Sequence, residues 1–301
     1  MRFKNLNKLV AYLLLATSVA QAAPGEWVNQ VTPIIRPAGG SNISLSDTKS
    51  LSPDSESWAQ TDPLSRMVYN INNPTMELIT PKSDLDRPAI LVIPGGGFEF
   101  LAIDNEGFLV ARKLQALGFS VYILKYRTIP MVYGFESFHE ALVALFQRGE
   151  LPSQMRDAQA VAAEDAQSAI ATLRNHSKEW HIDPKHIGVI GFSAGAITVL
   201  NSLDTKNILQ RPDFAAMIYG PTQIEKLPAQ TPPLFAAIAA EDRFFKNQNL
   251  SLIERWRQSG ASIEFHLYSN GGHGFASQPS GATSDLWFQE FAAWVQAHHL
   301  N

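Results

Sequence analysis

The sequence predicts an α/β fold with a mostly parallel central sheet flanked by helices on both faces. Two observations carry this. From about residue 76 onward, short apolar runs alternate with segments of helical spacing, and such alternation implies parallel strands joined by helical crossovers. Some runs, Ala89-Ile90-Leu91-Val92-Ile93 above all, are apolar without interruption, as strands buried on both faces are. Composition agrees. Of 301 residues, 45% are hydrophobic and 17% charged, which suffices for a sizeable core and argues against disorder.

Taken in order, the first strand is expected over 76–80 and the second over 89–93, closed by Pro94-Gly95-Gly96-Gly97. Residues 108–117 have helical spacing and stop at Gly118, a residue that favours helix ends. A strand follows over 120–124, then Lys125-Tyr126-Arg127. Residues 158–174, rich in Ala, Leu and Gln without a breaker, form a long helix. A short buried strand at 187–190 leads to a helix over 194–203. Strands follow at 214–219 and 234–239, a helix at 252–258, an alternating strand at 262–268 and a closing amphipathic helix at 286–299. One stretch breaks the rhythm. Between Arg127 and Arg156 no strand signal occurs, and Phe135, Phe138, Leu142, Leu145 and Phe146 share one helical face. The plainer reading is an extra helix packed on the core; the sharper one makes 128–155 a cap insertion over a site.

The N-terminus is organised differently. Arg2, Lys4 and Lys8 precede an apolar run that closes with Ala20-Gln21-Ala22. A basic start, a short apolar core and a small-x-small site describe a secretory signal peptide over 1–22. The run is short for a membrane span and contains Thr17 and Ser18, so no stable anchor is expected after cleavage. Residues 23–63 form an extended polar segment rather than a domain, and 64–301 the catalytic domain. Removing 1–22 leaves 21 basic against 28 acidic residues, a net charge of −7. That balance, with no cluster of Lys or Arg, argues against nucleic acid as a partner. The chain has no cysteine, which excludes disulfides, thiol nucleophiles and Cys-ligated zinc. Secretion or a bacterial periplasm is the expected location.

The chemistry centres on Gly191-Phe192-Ser193-Ala194-Gly195, a G-x-S-x-G pattern between a short apolar strand and an Ala-rich helix. A sharp strand-to-helix turn lifts the serine hydroxyl clear of the sheet, and its flanking positions must be small. A serine hydroxyl needs a base, and the base needs an orienting carboxylate. With chain order Ser, acid, His, four histidines lie downstream: His266, His273, His298 and His299. His266 sits inside a strand, and His298 and His299 end the last helix. His273 lies in the loop Asn270-Gly271-Gly272-His273-Gly274-Phe275 after the last strand, on the edge of the sheet where ligands bind in open α/β folds. The carboxylate follows the preceding strand, where Glu241-Asp242 stand side by side. Asp242 is chosen and Glu241 is the alternative. Backbone N–H groups must meet the developing oxyanion; Ala194 after the nucleophile and the Gly95-Gly96-Gly97 turn after the second strand are the candidates.

With these residues in view, the chain from about residue 67 onward resembles the α/β-hydrolase superfamily. Pro94-Gly95-Gly96-Gly97-Phe98 resembles the His-Gly-Gly-Gly motif of hormone-sensitive-lipase-like esterases, with Pro in place of His. Together with Asp104-Asn105-Glu106-Gly107, Leu124-Lys125-Tyr126-Arg127 and Ile182-Asp183-Pro184, it is similar to exported bacterial esterases grouped with acetyl-xylan esterases. The resemblance implies an α/β-hydrolase fold, a catalytic triad of Ser193, Asp242 and His273, and oxyanion donors at Gly96, Gly97 and Ala194. It departs at Pro94, where the motif His would prop the oxyanion loop, and at Ala196, where many relatives have Gly and where a methyl is expected to narrow the site floor. The implied function is that of a serine carboxylic-ester hydrolase working through an acyl-enzyme. It would remove short acyl groups such as acetyl from carbohydrate or small esters, with no cofactor and no metal. A serine exopeptidase of the same fold and a non-catalytic binding protein are the rival readings.

Overall fold

A computed structural model describes residues 26–38, 41–45, 55–79, 85–276 and 279–301. The expected signal peptide lies outside these residues. In chain order the strands and helices are β1 (Thr32–Ile34), β2 (Ser41–Ser44), β3 (Ser57–Gln60), β4 (Arg66–Tyr69), β5 (Thr75–Leu78), β6 (Arg87–Ile93), β7 (Phe100–Leu101), α1 (Leu109–Ala116), β8 (Ser120–Lys125), α2 (Phe135–Leu142), α3 (Met155–Asn175), β9 (Ile182–Phe192), α4 (Ala194–Ser202), β10 (Phe214–Ile218), β11 (Leu234–Ala239), α5 (Ser251–Gln258), β12 (Ile263–Tyr268) and α6 (Trp287–Ala297).

The main sheet has eight strands in the order β12-β11-β10-β9-β6-β8-β5-β2. The six from β12 to β8 are mutually parallel, while β5 and β2 add an antiparallel edge. The uninterrupted apolar run is the central strand: Ala89 to Ile93 of β6 are all fully buried, paired with β8 on one side and β9 on the other. Successive side chains of a strand point to opposite faces, and the end of β9 shows which helices cover each. A Cβ on Gly191 would strike the Gly195 carbonyl and Val199 of α4, whereas the Phe192 ring meets Trp287 of α6. α3 packs with α4, and α1 lies beside α6, with Lys113 over the Trp287 and Phe288 rings. Helices therefore cover both faces.

The segment read as polar and extended contributes more than a surface path. β2 closes one edge of the main sheet, and β1 and β3 join β4 and β7 in a second, four-stranded antiparallel sheet. Val28, Val31, Trp58 and Ala59 are buried. These few apolar residues are too widely spaced to show a period, and they become core only because distant chain covers them. Part of that cover is the stretch that broke the strand–helix rhythm. α2 buries Phe138 and Leu142 against this second sheet, with the Phe138 ring stacked on Tyr69 at 4.0 Å. A π-helical turn, Val143–Arg148, continues from α2 and carries Leu145 and Phe146 to the wall of a cavity on the parallel sheet's carboxyl edge. One segment thus packs on a core and overhangs the site.

Candidate active site

β9 ends at Phe192 and α4 begins at Ala194, leaving Ser193 alone at the bend with φ 51° and ψ −116°. Positive φ is unfavourable for a residue with a Cβ, so the surroundings must hold it. The Ser193 N–H donates to the Ile218 carbonyl at 3.1 Å, and its carbonyl accepts from the N–H groups of Ala196 and Ile197. Small neighbours are obligatory. A Cβ on Gly191 would lie 2.2 Å from the Gly195 carbonyl oxygen, and one on Gly195 would lie 2.0 Å from that of Ile93. The α4 N-terminus begins directly behind the Ser193 side chain, where its partial positive charge favours an anion.

The histidine and the acids converge on that hydroxyl from the ends of β11 and β12. His273 Nε2 lies 2.7 Å from Ser193 Oγ, and His273 Nδ1 lies 2.7 Å from Asp242 Oδ2. Asp242 is fully buried. Its other oxygen, Oδ1, accepts from the N–H groups of Phe244 and Phe245, which fixes the carboxylate's rotation. Rings of Tyr219, Phe244 and Phe245 surround the imidazole. Glu241 is not the neighbour of His273; its Oε1 accepts from the N–H groups of Gly271 at 2.7 Å and Gly272 at 3.1 Å. The two adjacent acids divide the work on one loop: Asp242 meets the ring and Glu241 ties down the backbone leading to it. His266 instead bonds Glu264 and faces Glu290, and His298 and His299 are exposed.

Gly96, Gly97, Ser193, Ala194 and His273 line one cavity of about 420 Å³. Among the described residues no hydrogen bond engages the N–H of Gly96, Gly97 or Ala194. Unspent donors beside a hydroxyl–imidazole–carboxylate chain are what an acyl-transfer site requires. Gly96 and Gly97 have φ of 137° and 63°, and a Cβ on Gly96 would lie 2.1 Å from the Phe100 carbonyl oxygen. Only glycine permits that turn. Pro94, standing where a propping His was expected, leaves the prop to others: its carbonyl accepts from the Tyr126 hydroxyl at 3.0 Å. Ala196 does not narrow the floor. It is fully buried, lies outside the cavity lining and directs its methyl toward Gly220.

Reasoning from sequence assigned no role to Glu106, although it lies within the quoted Asp104-Asn105-Glu106-Gly107. Its Oε2 accepts from the Gly95 N–H at 2.6 Å and its Oε1 from the Tyr219 hydroxyl at 2.7 Å. Burial pushes its carboxyl above the usual carboxylate range, and these two bonds pull back the other way. The only local signal was an acid in the turn leading into an apolar helix, which is uninformative without the fold. Other residues of the resembling motifs are struts. Asp104 holds the Arg66 side chain and backbone N–H, Lys125 is buried against Glu56 at 2.8 Å, and Arg127 forks onto Asp165.

This is the α/β-hydrolase architecture, with a serine at the bend after a central strand and its histidine and acid on loops beyond the following strands. The chain belongs to the dienelactone hydrolase family, whose sequence profile matches residues 77–297. An acetylxylan esterase of Xylanibacter ruminicola is 21% identical over 245 residues, 69% of this chain, and this chain spans 45% of that relative's length. Among solved structures, an acetyl ester-xyloside bifunctional hydrolase from Caldicellulosiruptor lactoaceticus superposes with TM-score 0.60 at 20% identity, over 87% of this chain and 97% of its own. A carboxylesterase from Lactobacillus plantarum superposes with TM-score 0.55 at 17% identity, over 77% and 94%.

Proposed function

We propose that this chain is an exported serine esterase that removes short acyl groups, acetyl foremost, from neutral carbohydrate or small esters. The observation carrying this is the unbroken chain Ser193 Oγ–His273–Asp242, with both links at 2.7 Å, beside three free backbone donors. Ser193 attacks the ester carbonyl while His273 takes its proton. Gly96, Gly97 and Ala194 donate to the oxyanion. His273 then returns the proton to the leaving alcohol, and Asp242 holds the ring in the productive tautomer and balances the imidazolium. Water, activated by the same imidazole, releases the acid from the acyl-enzyme.

The cavity supports the substrate class. Among the described residues its ionisable lining residues are Glu106 and His273, and the rest of the wall is apolar or uncharged, which suits a neutral substrate. Gln159 and Asn201 on one side and Gln223 and Gln248 on another are uncharged amides suited to hydroxyl groups. The test is turnover of aryl esters of rising acyl length, acetylated xylan and an aminoacyl amide under one set of conditions. Acetate turnover well above that of the longer esters, with acetylated xylan cleaved, is expected. Amide cleavage exceeding ester cleavage would replace this reading with that of a peptidase.

Acyl length has a structural limit to probe. A Leu145 methyl lies 2.7 Å from where a Cβ on Gly97 would stand, and Leu145 and Phe100 both line the cavity. An acyl chain whose oxygen sits on Gly97 meets that wall within a few carbons. Leu145→Ala is expected to raise the butyrate-to-acetate ratio of kcat/KM about tenfold, the value of one or two methylenes of new space. Leu145 is buried, so the variant should also lose about 2–3 kcal/mol of stability, and denaturant melts should accompany the kinetics.

A further inference from the structure

We infer that Glu106 is a positioning residue that holds the oxyanion loop and the base in one frame, through Gly95 on one side and Tyr219 on the other. This rests on the esterase reading above. Glu106 sits in a π-helical turn, Ile103–Phe108, a rare geometry that recurs at functional sites. The turn is itself anchored, since Asp104 takes the Arg66 backbone N–H and both arms of its guanidinium fork.

From this platform the carboxylate bridges two elements, the glycine turn after β6 and the residue that follows β10. Its Oε2 receives the N–H of Gly95, at the start of the glycine turn. A Cβ on Gly95 would lie 2.8 Å from the Ser193 Cβ, so that turn packs directly on the serine bend. Its Oε1 receives the hydroxyl of Tyr219, whose ring meets the His273 imidazole edge to face at 5.0 Å. Tyr219 itself has φ 38°, a strained value for an aromatic residue that the surrounding structure must enforce. The Glu106 bond at its tip and the Ala237 carbonyl at its N–H supply that constraint. Donors and base are thus referenced to one buried carboxylate, which replaces the prop absent at Pro94. Among the described residues its hydrogen bonds go to Gly95 and Tyr219 and not to the serine hydroxyl or the imidazole; it acts through these two partners.

The decisive property is placement. A glutamine at 106 has the same shape: its amide oxygen can accept from Gly95, and its NH₂ can donate to the Tyr219 oxygen once the phenol O–H, which now donates to Glu106, rotates away. Alanine removes both bonds. Glu106→Ala is therefore expected to lower kcat for an aryl acetate about 100-fold with KM unchanged, as a displacement of about 1 Å in a reacting geometry does. Glu106→Gln should retain kcat within about threefold, and Tyr219→Phe, which keeps the ring and drops the hydroxyl, should lose about tenfold. Wild-type turnover and labelling of Ser193 by a fluorophosphonate are measured first, so failure of the esterase reading is seen separately. Given an active wild type, the inference is overturned if Glu106→Ala keeps wild-type kcat, if Glu106→Gln loses as much as Glu106→Ala, or if the losses fall on KM. Should Glu106→Ala not fold, Tyr219→Phe and Glu106→Gln decide alone: retention in the second with loss in the first supports the inference, and any other pair of results rejects it.

Discussion

Ser193→Ala is expected to lower aryl-acetate turnover by about 10⁵- to 10⁶-fold, because the nucleophile and base of such a site act as a unit and losing either removes nearly all covalent catalysis. The variant should remain folded. Alanine keeps the Cβ that packs beside Gly95, and the backbone bonds of residue 193 to Ile218, Ala196 and Ile197 need no side chain. What disappears is the single Oγ–Nε2 hydrogen bond, worth about 1 kcal/mol. His273 keeps its bond to Asp242, so the oxyanion donors and the cavity stay in place. The variant should therefore still bind an ester while failing to cleave it or to be labelled by a fluorophosphonate. Equilibrium binding of a slow ester beside the kinetics checks both halves. A folded variant with undiminished turnover would remove Ser193 from the mechanism.

How much of this arrangement could be read beforehand depends on how local each feature is. β6, β10 and β11 announce themselves because strands covered on both faces need unbroken apolar runs. β9 was expected at 187–190 but runs from Ile182. Its first half pairs only through Arg87 to Ile182 and carries Asp183, Lys185 and His186, which give no apolar signal. β1 and β7 were invisible for a related reason: their partners are remote, as with Ile34 opposite Trp58 and Val68 opposite Leu101, and strands of two or three residues carry no period. Ser193 and His273 were legible because glycines flank both, and glycine marks places where backbone must bend or approach closely. Asp242 was preferred to Glu241 only as the commoner residue type in that role, since adjacent acids look alike in sequence. They are distinguished by the turn after β11, which aims the two neighbouring side chains apart. Glu106 lay beyond reach because its meaning depends on Tyr219, 113 residues away.

The pair of acids gives the sharpest remaining contrast. Asp242→Asn is expected to lower kcat about 10⁴-fold while leaving KM and fold nearly intact. The reason lies in which oxygen is spoken for. Oδ1 accepts from two backbone N–H groups, those of Phe244 and Phe245, so an asparagine will keep its carbonyl there. Its NH₂ then faces His273 Nδ1, where Oδ2 stood at 2.7 Å. Two donors cannot face each other, so the imidazole must present a bare Nδ1 and carry its proton on Nε2. A protonated Nε2 cannot accept the Ser193 proton. The loss is therefore one of tautomer rather than of structure, and thermal melts should barely move. Asp242→Ala, by comparison, leaves the Phe244 N–H without its acceptor, while the Phe245 N–H keeps the backbone carbonyl of residue 242 at 3.2 Å, and should add about 1–3 kcal/mol of destabilisation. Glu241→Gln is the control. Its amide oxygen still accepts from Gly271 and Gly272, so the loop stays anchored and kcat should fall by less than about threefold. If the 10⁴-fold loss instead followed Glu241→Gln and spared Asp242→Asn, the orienting acid would be Glu241, reached in a conformation of the His273 loop other than this one.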